Sequence, residues 1–467
     1  MLSELNQLQA ADALGHFGCG ANPGACPELS QSDLLTLQQV MVSKTNKSCS
    51  NMDADDVAIR GTILFADCGT QSCLDQIPPR SLYEAVSRLV EAVKDREESV
   101  DMREGQWKKS ALSDADKQGL IDIVTCGLLK ALDARARYRA QTPSSTPATR
   151  RKRSTAASQQ VTCEDILILD TKSNVLTVQQ INDLNTTDFD NCAETLGTAT
   201  GWSLEQKAAL IGKAKQTWGQ QSSNWTKELI QRMGSIAQGL SESEITSLAN
   251  LDLDVLSTLG QYTGWTLDQL KSGFSSWLKK YINNNISAIT GSHLQQIGDF
   301  ACGATAQQIS SISTSAFKDA LNKIGTLYSC SAEQLEAWAA LGLQALGSVT
   351  EWTYAQSATF DVLYAGLSGS SLSLLSSTQL SMISLDVFVR IKPTAFSALT
   401  VSQMASLSTA QALSVTDDQL SVLNPAQKAQ LRALGATISD PSGAPGVSVT
   451  ASTLAATWTA VWLIMAY

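Results

Sequence analysis

The cysteines carry the most informative chemistry in this sequence of 467 residues, because paired thiols form disulfides in an oxidising compartment. Six of the ten cysteines precede residue 153 and four follow it, so each group can pair within itself. Cys163 and Cys192 lie 29 residues apart, and Cys302 and Cys330 lie 28 apart, which suits two neighbouring helices joined by a disulfide. We predict these two pairs. The six upstream cysteines allow fifteen pairings, among which the sequence does not choose.

Other chemistry at the cysteines and histidines is poorly supported. Only Cys68 and Cys73 approach the close spacing of a zinc site, and no second pair follows at finger spacing. Free buried cysteines in a cytosolic protein are the alternative to disulfides. The two histidines, His16 and His293, cannot form a His-rich metal site, and no nucleophile elbow or phosphate-binding glycine loop is present. The sequence therefore predicts no metal, no cofactor and no enzymatic activity.

A basic run indicates proteolytic processing. Arg150, Arg151, Lys152 and Arg153 are consecutive, and they lie in a linker rich in Pro, Ser and Thr over residues 141–160. Four cations in such a linker fit the acidic cleft of a furin-like convertase, which would cut between Arg153 and Ser154. A solvated basic patch or a nuclear-localisation tract is the alternative interpretation.

The C-terminal residues 441–467 have the layout of a lipid-attachment signal. They carry no charge, begin with small residues and end in a short apolar stretch. We predict attachment of a glycosylphosphatidylinositol lipid at Ser442 or Gly443 and removal of the tail, although a buried C-terminal helix is the alternative. The first residues resemble no secretory signal, so we expect the chain to be part of a longer precursor.

Four N-x-[ST] sequons and the net charge agree with an extracellular setting. The sequons predict N-glycosylation at Asn46, Asn185, Asn224 and Asn285. The formal net charge of −10 argues against a nucleic-acid partner.

Helical patterns account for the rest of the sequence. After Ser81, which opens a capping box with Glu84, the apolar positions from Leu82 to Val93 recur on one helical face. Further on, segments 195–206 and 258–269 repeat the pattern T-L-G-x-x-T-G-W-[ST]-L-[ED]-Q, and 346–356 is a looser third copy. In each copy a helix ends near Gly, and a Trp precedes the Ser or Thr cap of the next helix. We expect Trp202, Trp265 and Trp352 to be buried.

Capping boxes of the form S/T-x-x-Q/E are frequent outside these copies. They begin at Thr177, Ser241, Ser292, Thr305, Ser331, Ser376, Thr400 and Thr416. Short helices that restart at this rate predict an all-α fold, a right-handed superhelical array of short helices (an ARM-like α-solenoid) with disulfide clips. We place a cysteine-rich helical domain at 1–140, the linker at 141–160, the helical repeats at 161–440 and the removed tail at 441–467.

The basic site, the helical repeats, the uncharged tail and the Cys302 to Cys330 segment together resemble the mesothelin, stereocilin and otoancorin family. The similar segment runs from Phe300 through the cap at Thr305 to Cys330 and Leu335. The resemblance implies a precursor whose N-terminal product is released as a soluble, cytokine-like factor. It implies that the C-terminal product stays on the outer leaflet as a lipid-anchored adhesion glycoprotein. The family's contact with a mucin-like glycoprotein maps to about residues 154–218.

Three functions remain open on this basis. The first is adhesion to a mucin-like glycoprotein or to matrix, and a related alternative is attachment of an epithelium to an acellular gel. The second is signalling by a released product, residues 1–153. The third is catalysis, which the paired acids Asp252 with Asp254 and Asp417 with Asp418 support weakly, because such acids usually serve helix N-termini.

Overall fold

A computed structural model describes residues 31–44, 48–66, 68, 72–100, 114–141, 161–436 and 438. In these segments the chain forms α-helices and short 3₁₀ helices and no strand, which confirms the all-α fold with disulfides. The handedness of a superhelix stays a prediction. The chain divides into two compact units, Met1–Ala345 and Leu346–Tyr467.

The first described part of this unit is a helical segment held by two disulfides. The helices are α1 (Gln31–Lys44), α2 (Ala54–Arg60), α3 (Cys73–Gln76), α4 (Pro79–Val100) and α5 (Asp114–Gln141). Helix α4 packs along α5, and its predicted apolar face from Leu82 to Val93 is buried. Its N-terminus differs from the prediction. The helix begins at Pro79, whose missing N–H and fixed φ suit the first helical position, so Ser81 is not its cap.

Three modules of about 64 residues follow. They contain α6 (Cys163–Leu169), α7 (Val178–Asp183), α8 (Thr186–Thr198), α9 (Leu204–Trp218), α10 (Lys227–Met233), α11 (Glu242–Ser247), α12 (Leu253–Leu259), α13 (Leu267–Tyr281), α14 (Gly291–Ile297), α15 (Ala306–Ser310), α16 (Thr314–Ile324) and α17 (Ala332–Leu346). Each module opens with a helix of 7 residues, namely α6, α10 or α14. Each also contains a helix of 15 residues, namely α9, α13 or α17. Packing is mainly between alternate helices, from α6 with α8 through to α14 with α16, and α8 also packs on α9.

Two glycine pairs bring neighbouring helices of these modules close together. Gly234 and Gly298 begin 3₁₀ helices with φ of 47° and 54°, a region that favours glycine. A Cβ atom on Gly234 would lie 2.3 Å from the carbonyl oxygen of Gly197, and one on Gly298 would lie 2.2 Å from that of Gly260. Gly197 and Gly260 are the glycines of the T-L-G repeats, so that motif provides backbone contact between helices.

The predicted tryptophans are buried, but the third copy has a different place in its module. Trp202 and Trp265 precede the caps of α9 and α13, and their indole N–H groups donate to the carbonyls of Ala199 and Leu259. Trp352 instead precedes a helix of 7 residues, Tyr354–Phe360, which begins as α10 does after Trp225. The predicted helix end, Thr353 cap and Gln356 box all occur at Trp352, but the third module has Cys330 where the first two have Trp202 and Trp265, so Trp352 corresponds to Trp225 and not to those two.

The second unit is built from shorter helices in an eight-residue rhythm. They are α18 (Tyr354–Phe360), α19 (Gly369–Leu372), α20 (Ser377–Met382), α21 (Leu385–Phe388), α22 (Pro393–Phe396), α23 (Val401–Ala405), α24 (Thr409–Ser414), α25 (Asp417–Ser421) and α26 (Pro425–Ala433). From Ser368 to Asn424 a capping residue occurs at every eighth position. From α19 on, packing is between each helix and the third one along, such as α19 with α22 and α23 with α26.

Apart from Ser81, the predicted caps occur where expected except at one further position. Ser292 lies inside α14, whose cap is Thr290, because His293 occupies the position that Gln or Glu has in other boxes. The backbone N–H of Thr290 donates to His293 Nδ1 at 3.3 Å.

Eight box glutamines also connect helices that are distant in sequence, and one of them is Gln379, which donates to the Val349 carbonyl and the Ser357 hydroxyl. In α25 the Oε1 atom of Gln419 accepts from the backbone N–H of Thr416 at 3.1 Å. Its Nε2 atom donates to the carbonyls of Phe388 and Ile391 at 3.0 and 2.9 Å. The same use of both ends of the amide recurs at Gln206, Gln269, Gln334, Gln403, Gln411 and Gln427.

Where the box residue is an acid, a cation takes the place of the carbonyl oxygens. One carboxylate oxygen of Asp165 accepts from the backbone N–H of Thr162 at 2.9 Å, and the other accepts from Arg135 Nε at 2.8 Å. Asp75 with Lys130 and Glu244 with Lys215 are two further cases, and Asp56 pairs with Arg60 of its own helix. A carboxylate has no donor, so it cannot bond to carbonyl oxygens and pairs with a cation instead.

Candidate functional site

The predicted contact region, about residues 154–218, is described from residue 161 onward. It comprises α6 to α9 and contains the disulfide between Cys163 and Cys192, whose Cα atoms are 5.5 Å apart. Cys163 opens α6 directly after the Thr162 cap, and Cys192 is fully buried in α8. The disulfide therefore fixes α6 against α8, which are the helices beneath this surface.

A cluster of Asp190, Trp218 and Arg232 lies at the edge of this region. The indole N–H of Trp218 donates to Asp190 Oδ1 at 2.8 Å, and Arg232 Nη1 lies 3.2 Å from the same oxygen. The guanidinium of Arg232 lies 5.7 Å from the centre of the Trp218 ring. All three side chains are partly exposed. Trp and Arg held by a carboxylate are side chains that dominate binding energy in protein interfaces.

Two exposed leucines lie on helices α6 and α9 of this region. Leu204, the first residue of α9, is 81% exposed, and Leu167 in α6 is 57% exposed. Both are exceptions on helices whose other apolar side chains are mostly buried. Exposed apolar side chains and partly exposed Trp and Arg are both suited to shallow protein contacts, and Leu204 and Trp218 lie at opposite ends of α9.

Two lysines within the region have lowered pKa values. Burial, together with the charge of Lys94, lowers the pKa of Lys172 to about 8. Burial also lowers the pKa of Lys207. Among the described residues, no group of three or more His, Cys, Asp or Glu side chains lies close enough together to bind a metal ion.

Three of the four predicted glycosylation sites are described, and each asparagine is exposed. Asn185 caps α8, Asn224 ends a 3₁₀ helix, and Asn285 accepts a hydrogen bond from the Ser287 hydroxyl at 2.7 Å. Exposure gives a glycan room at each, and glycosylation itself stays a prediction. Asn46 lies outside the described residues.

The predicted disulfide partners are joined in the structure. Cys163 pairs with Cys192, and Cys302 pairs with Cys330 with their Cα atoms 4.7 Å apart. Upstream, where the sequence left the pairing open, Cys49 pairs with Cys73 and Cys68 with Cys126. Cys19 and Cys26 lie outside the described residues.

The predicted processing sites also lie outside the described residues. These are the cleavage residues Arg150, Arg151, Lys152, Arg153 and Ser154, and the lipid-attachment residues Ser442 and Gly443.

The paired acids noted in the sequence serve helix starts. Asp252 caps α12 by accepting from the backbone N–H of Val255, and Lys227 pairs with both Asp252 and Asp254. Asp417 and Asp418 lie in the first turn of α25. Negative charge is stabilised at a helix N-terminus, so these acids have a structural role. The absence of enzymatic activity stays a prediction.

Sequence reasoning missed the Asp190, Trp218 and Arg232 cluster. The three residues are 28 and 14 positions apart on three different helices, and no motif connects them. The interhelical role of the box glutamines was also missed. A signal existed there, because the glutamines at 403, 411, 419 and 427 recur every eight residues.

These features define an all-α, disulfide-linked protein of repeated short helices. No protein-family model matches the chain. Human stereocilin is 32% identical over 253 residues, which are 53% of this chain and 14% of that protein. Mouse otoancorin is 32% identical over 244 residues, which are 52% of this chain and 21% of that protein. The chain is thus similar to stereocilin and otoancorin and spans a small part of their length, and the resemblance to mesothelin in particular stays a prediction.

No helix within the described segments has both the length and the apolar character needed to cross a membrane.

Proposed function

We propose that this chain acts outside the cell as an attachment protein, which presents helical repeats to a glycoprotein or matrix partner. The similarity to stereocilin and otoancorin over half of the chain carries this proposal. The resemblance to this family implies adhesion or attachment of an epithelium to an acellular gel. Paired cysteines and exposed sequon asparagines support the extracellular setting.

The contact surface in this proposal consists of Leu167, Leu204 and the cluster of Asp190, Trp218 and Arg232. The cluster supplies rigid aromatic and cationic groups, and the leucines supply apolar area that has no partner within their own helices. A mucin-like glycoprotein and an acellular gel are the two partners to compare.

We further propose that a convertase cuts the precursor after Arg153 and that a lipid attached at Ser442 or Gly443 holds the C-terminal product on the outer leaflet. The basic run and the uncharged tail support these two steps. The chain, fused to a secretory signal, should be expressed on cells that are then treated with a phosphatidylinositol-specific phospholipase. Release of a glycosylated piece that begins near Ser154 is expected, and a full-length piece that stays on the cells would contradict both steps.

The binding surface is tested by adhesion of cells that display the full chain to immobilised mucin and to an acellular gel. Leu204→Asp and Leu167→Asp should each lower adhesion about tenfold, because a charge placed in the contact must be desolvated on binding. Tyr354→Asp, at a position 73% exposed in the second unit, is the matched control and should leave adhesion unchanged. Equal adhesion by all variants would exclude this surface. Loss on only one of the two coatings identifies the partner class.

A further inference from the structure

Helices on the two sides of segment 142–160 are packed against each other. Helix α4 packs against α6, and α5 packs against the 3₁₀ helix Asp170–Val175 that follows α6. Both sides lie within the first compact unit. A cut in the intervening segment would therefore separate the chain without separating these helices.

A buried ion pair lies at the centre of this contact. Arg135 in α5 and Asp165 in α6 have side chains that are 4% and 2% exposed, and Arg135 Nε lies 2.8 Å from Asp165 Oδ1. The Tyr83 ring lies 4.3 Å from the Arg135 guanidinium, and Glu164 contacts the same cation from the exposed side. Within the intact contact, a buried charge that loses its partner is strongly destabilising, so the contact depends on both members of this pair.

A second ion pair joins the same two parts. Lys94 Nζ in α4 lies 2.9 Å from Asp170 Oδ2, and both side chains are partly exposed. Burial alone would lower the pKa of Lys94, but the hydrogen bond and charge of Asp170 outweigh it and raise that pKa. This pair is more screened by solvent than the pair at Arg135 and holds the parts less strongly.

The described disulfides do not connect the two parts. Cys49 with Cys73 and Cys68 with Cys126 close before residue 142, whereas Cys163 with Cys192 and Cys302 with Cys330 close after residue 160. Each part thus carries its own covalent links. After a cut, the contact of α4 and α5 with α6 and the following 3₁₀ helix is what holds the described helices together.

We propose that the part preceding residue 142 remains bound to the helical repeats after a cut anywhere in 142–160. The surface of α6 and the 3₁₀ helix Asp170–Val175 is then a docking site for this chain's own N-terminal part. The product of cleavage is a non-covalent two-chain protein, which differs from the released factor that the family resemblance implies. The proposal does not depend on whether a convertase cuts after Arg153 in cells.

The test uses the full chain with a secretory signal, an affinity tag before Met1 and an introduced specific protease site between residues 142 and 149. Arg150, Arg151 and Arg153 are changed to alanine, so that only the introduced site is cut. The protein is solubilised, cut to completion and captured through the tag, and the C-terminal piece remaining on the beads is followed with time. We expect the C-terminal piece to stay on the beads for hours, whether the cut protein is at micromolar or at nanomolar concentration.

Arg135→Met should make the pieces dissociate about 100-fold faster or more, because it leaves the Asp165 charge buried without its partner. Arg137→Met is the matched control. Arg137 lies on the same helix and pairs with Asp133 in an exposed contact, so its loss should leave the dissociation rate within about twofold. Lys94→Gln should accelerate dissociation by about threefold.

Complete separation of the pieces of the chain that keeps Arg135, with no denaturant present, would overturn the proposal. The uncut Arg135→Met chain must keep the helical circular dichroism of its parent. If the Arg135→Met chain unfolds, the test is the dissociation rate of the Lys94→Gln pieces compared with that of the Arg137→Met pieces. Equal dissociation rates for these two variants would count against the docking site. Absence of cutting at the native basic run in cells would contradict the proposed processing and leave this result unaffected.

Discussion

The second unit and the three modules before it connect short helices by different bonds. From Ser368 to Asn424 the helices restart every eight residues and pack on the third helix along, and Gln403, Gln411, Gln419 and Gln427 connect them. The modules have longer helices that pack on alternate neighbours. They use glutamines once per module and add disulfides, tryptophans and box acids paired with cations.

The difference shows what one side chain can do in a capping box. A glutamine accepts from its own helix start through Oε1 and donates to carbonyls of another helix through Nε2, so it needs no second side chain. An acid can only accept, so Asp165 and Glu244 depend on Arg135 and Lys215. No cysteine follows Cys330, so the second unit contains no disulfide. It relies on hydrogen bonds from glutamine side-chain amides and on helix packing.

The largest expected effect on stability comes from replacing a box glutamine of the second unit by glutamate. Gln419→Glu keeps the box but places a carboxylate against the carbonyls of Phe388 and Ile391 at a fully buried site. At pH 7 it should lower the free energy of unfolding of this unit by about 4 kcal/mol. Hydrogen exchange over residues 385–421 and calorimetry of the full chain measure the loss.

Gln356→Glu is the control, because the side-chain hydrogen bonds described for Gln356 are those to Thr353 at the start of the same helix. It should change stability by less than about 0.5 kcal/mol, since a carboxylate is favourable at a helix N-terminus. Burial raises the pKa of a carboxyl at position 419, so the loss should shrink as the pH falls. Equal losses for the two variants would show that the bonds between helices contribute nothing.

Removing a disulfide from the modules should have the second largest effect. The double substitution Cys302→Ala and Cys330→Ala opens a loop of 28 residues and should cost about 3 kcal/mol, largely because the unfolded chain gains freedom. Thermal unfolding of the full chain under non-reducing conditions measures it. Reduction with a thiol should then shift the transition of this variant less than that of its parent. An unchanged melting temperature would mean that helix packing alone holds the third module.

A smaller effect is expected where an acid box is changed into the amide form. Glu244→Gln removes the ion pair with Lys215, which lies at a partly exposed site 2.6 Å away, and keeps the Ser241 cap. Stability should fall by about 0.5 to 1 kcal/mol, and the loss should decrease at high salt. Chemical denaturation at low and high ionic strength tests this. A loss as large as that of Gln419→Glu would show that the ion pairs of the acid boxes and the side-chain hydrogen bonds of the box glutamines contribute equally to stability.

The smallest effect concerns His293, which replaces glutamine in the box of α14. Burial lowers the pKa of His293, so the unfolded chain binds the proton more readily than the folded chain. Stability should therefore fall as the pH drops through about 6.5 towards the lower folded value. The loss should stay below about 0.5 kcal/mol because solvent screens the charge. His293→Gln should flatten the difference between melting temperatures at pH 7.5 and 5.5, and an unaltered difference would exclude His293 as its source.

The sequence predicted what depends on local patterns. The all-α fold and the burial of Trp202 and Trp265 follow from caps and periodicity, which act over a few residues. The cap at Ser292 was misplaced because His293 can fill the acceptor position from Thr290, which a search for Gln or Glu overlooks. Trp352 was misassigned because a local motif does not fix its place in a repeat of about 64 residues.

The candidate contact surface was predictable only as a region. The resemblance placed it near Cys163 and Cys192, but Asp190, Trp218 and Arg232 are brought together by the packing of three helices. Leu204 reads as an ordinary apolar residue at a helix start, and only the fold shows that it remains exposed.

By itself the sequence determined the type of helix start, the spacing of the caps and the identity of the box residues, because these depend on hydrogen bonds within one turn. The tertiary structure decided where the other end of each box side chain is bonded. It directs the amide of Gln419 to carbonyls about 30 residues away and the carboxylate of Asp165 to Arg135 across segment 142–160. The physical reason is that a buried polar group must find a partner, and which partner is in reach is set by how distant helices pack.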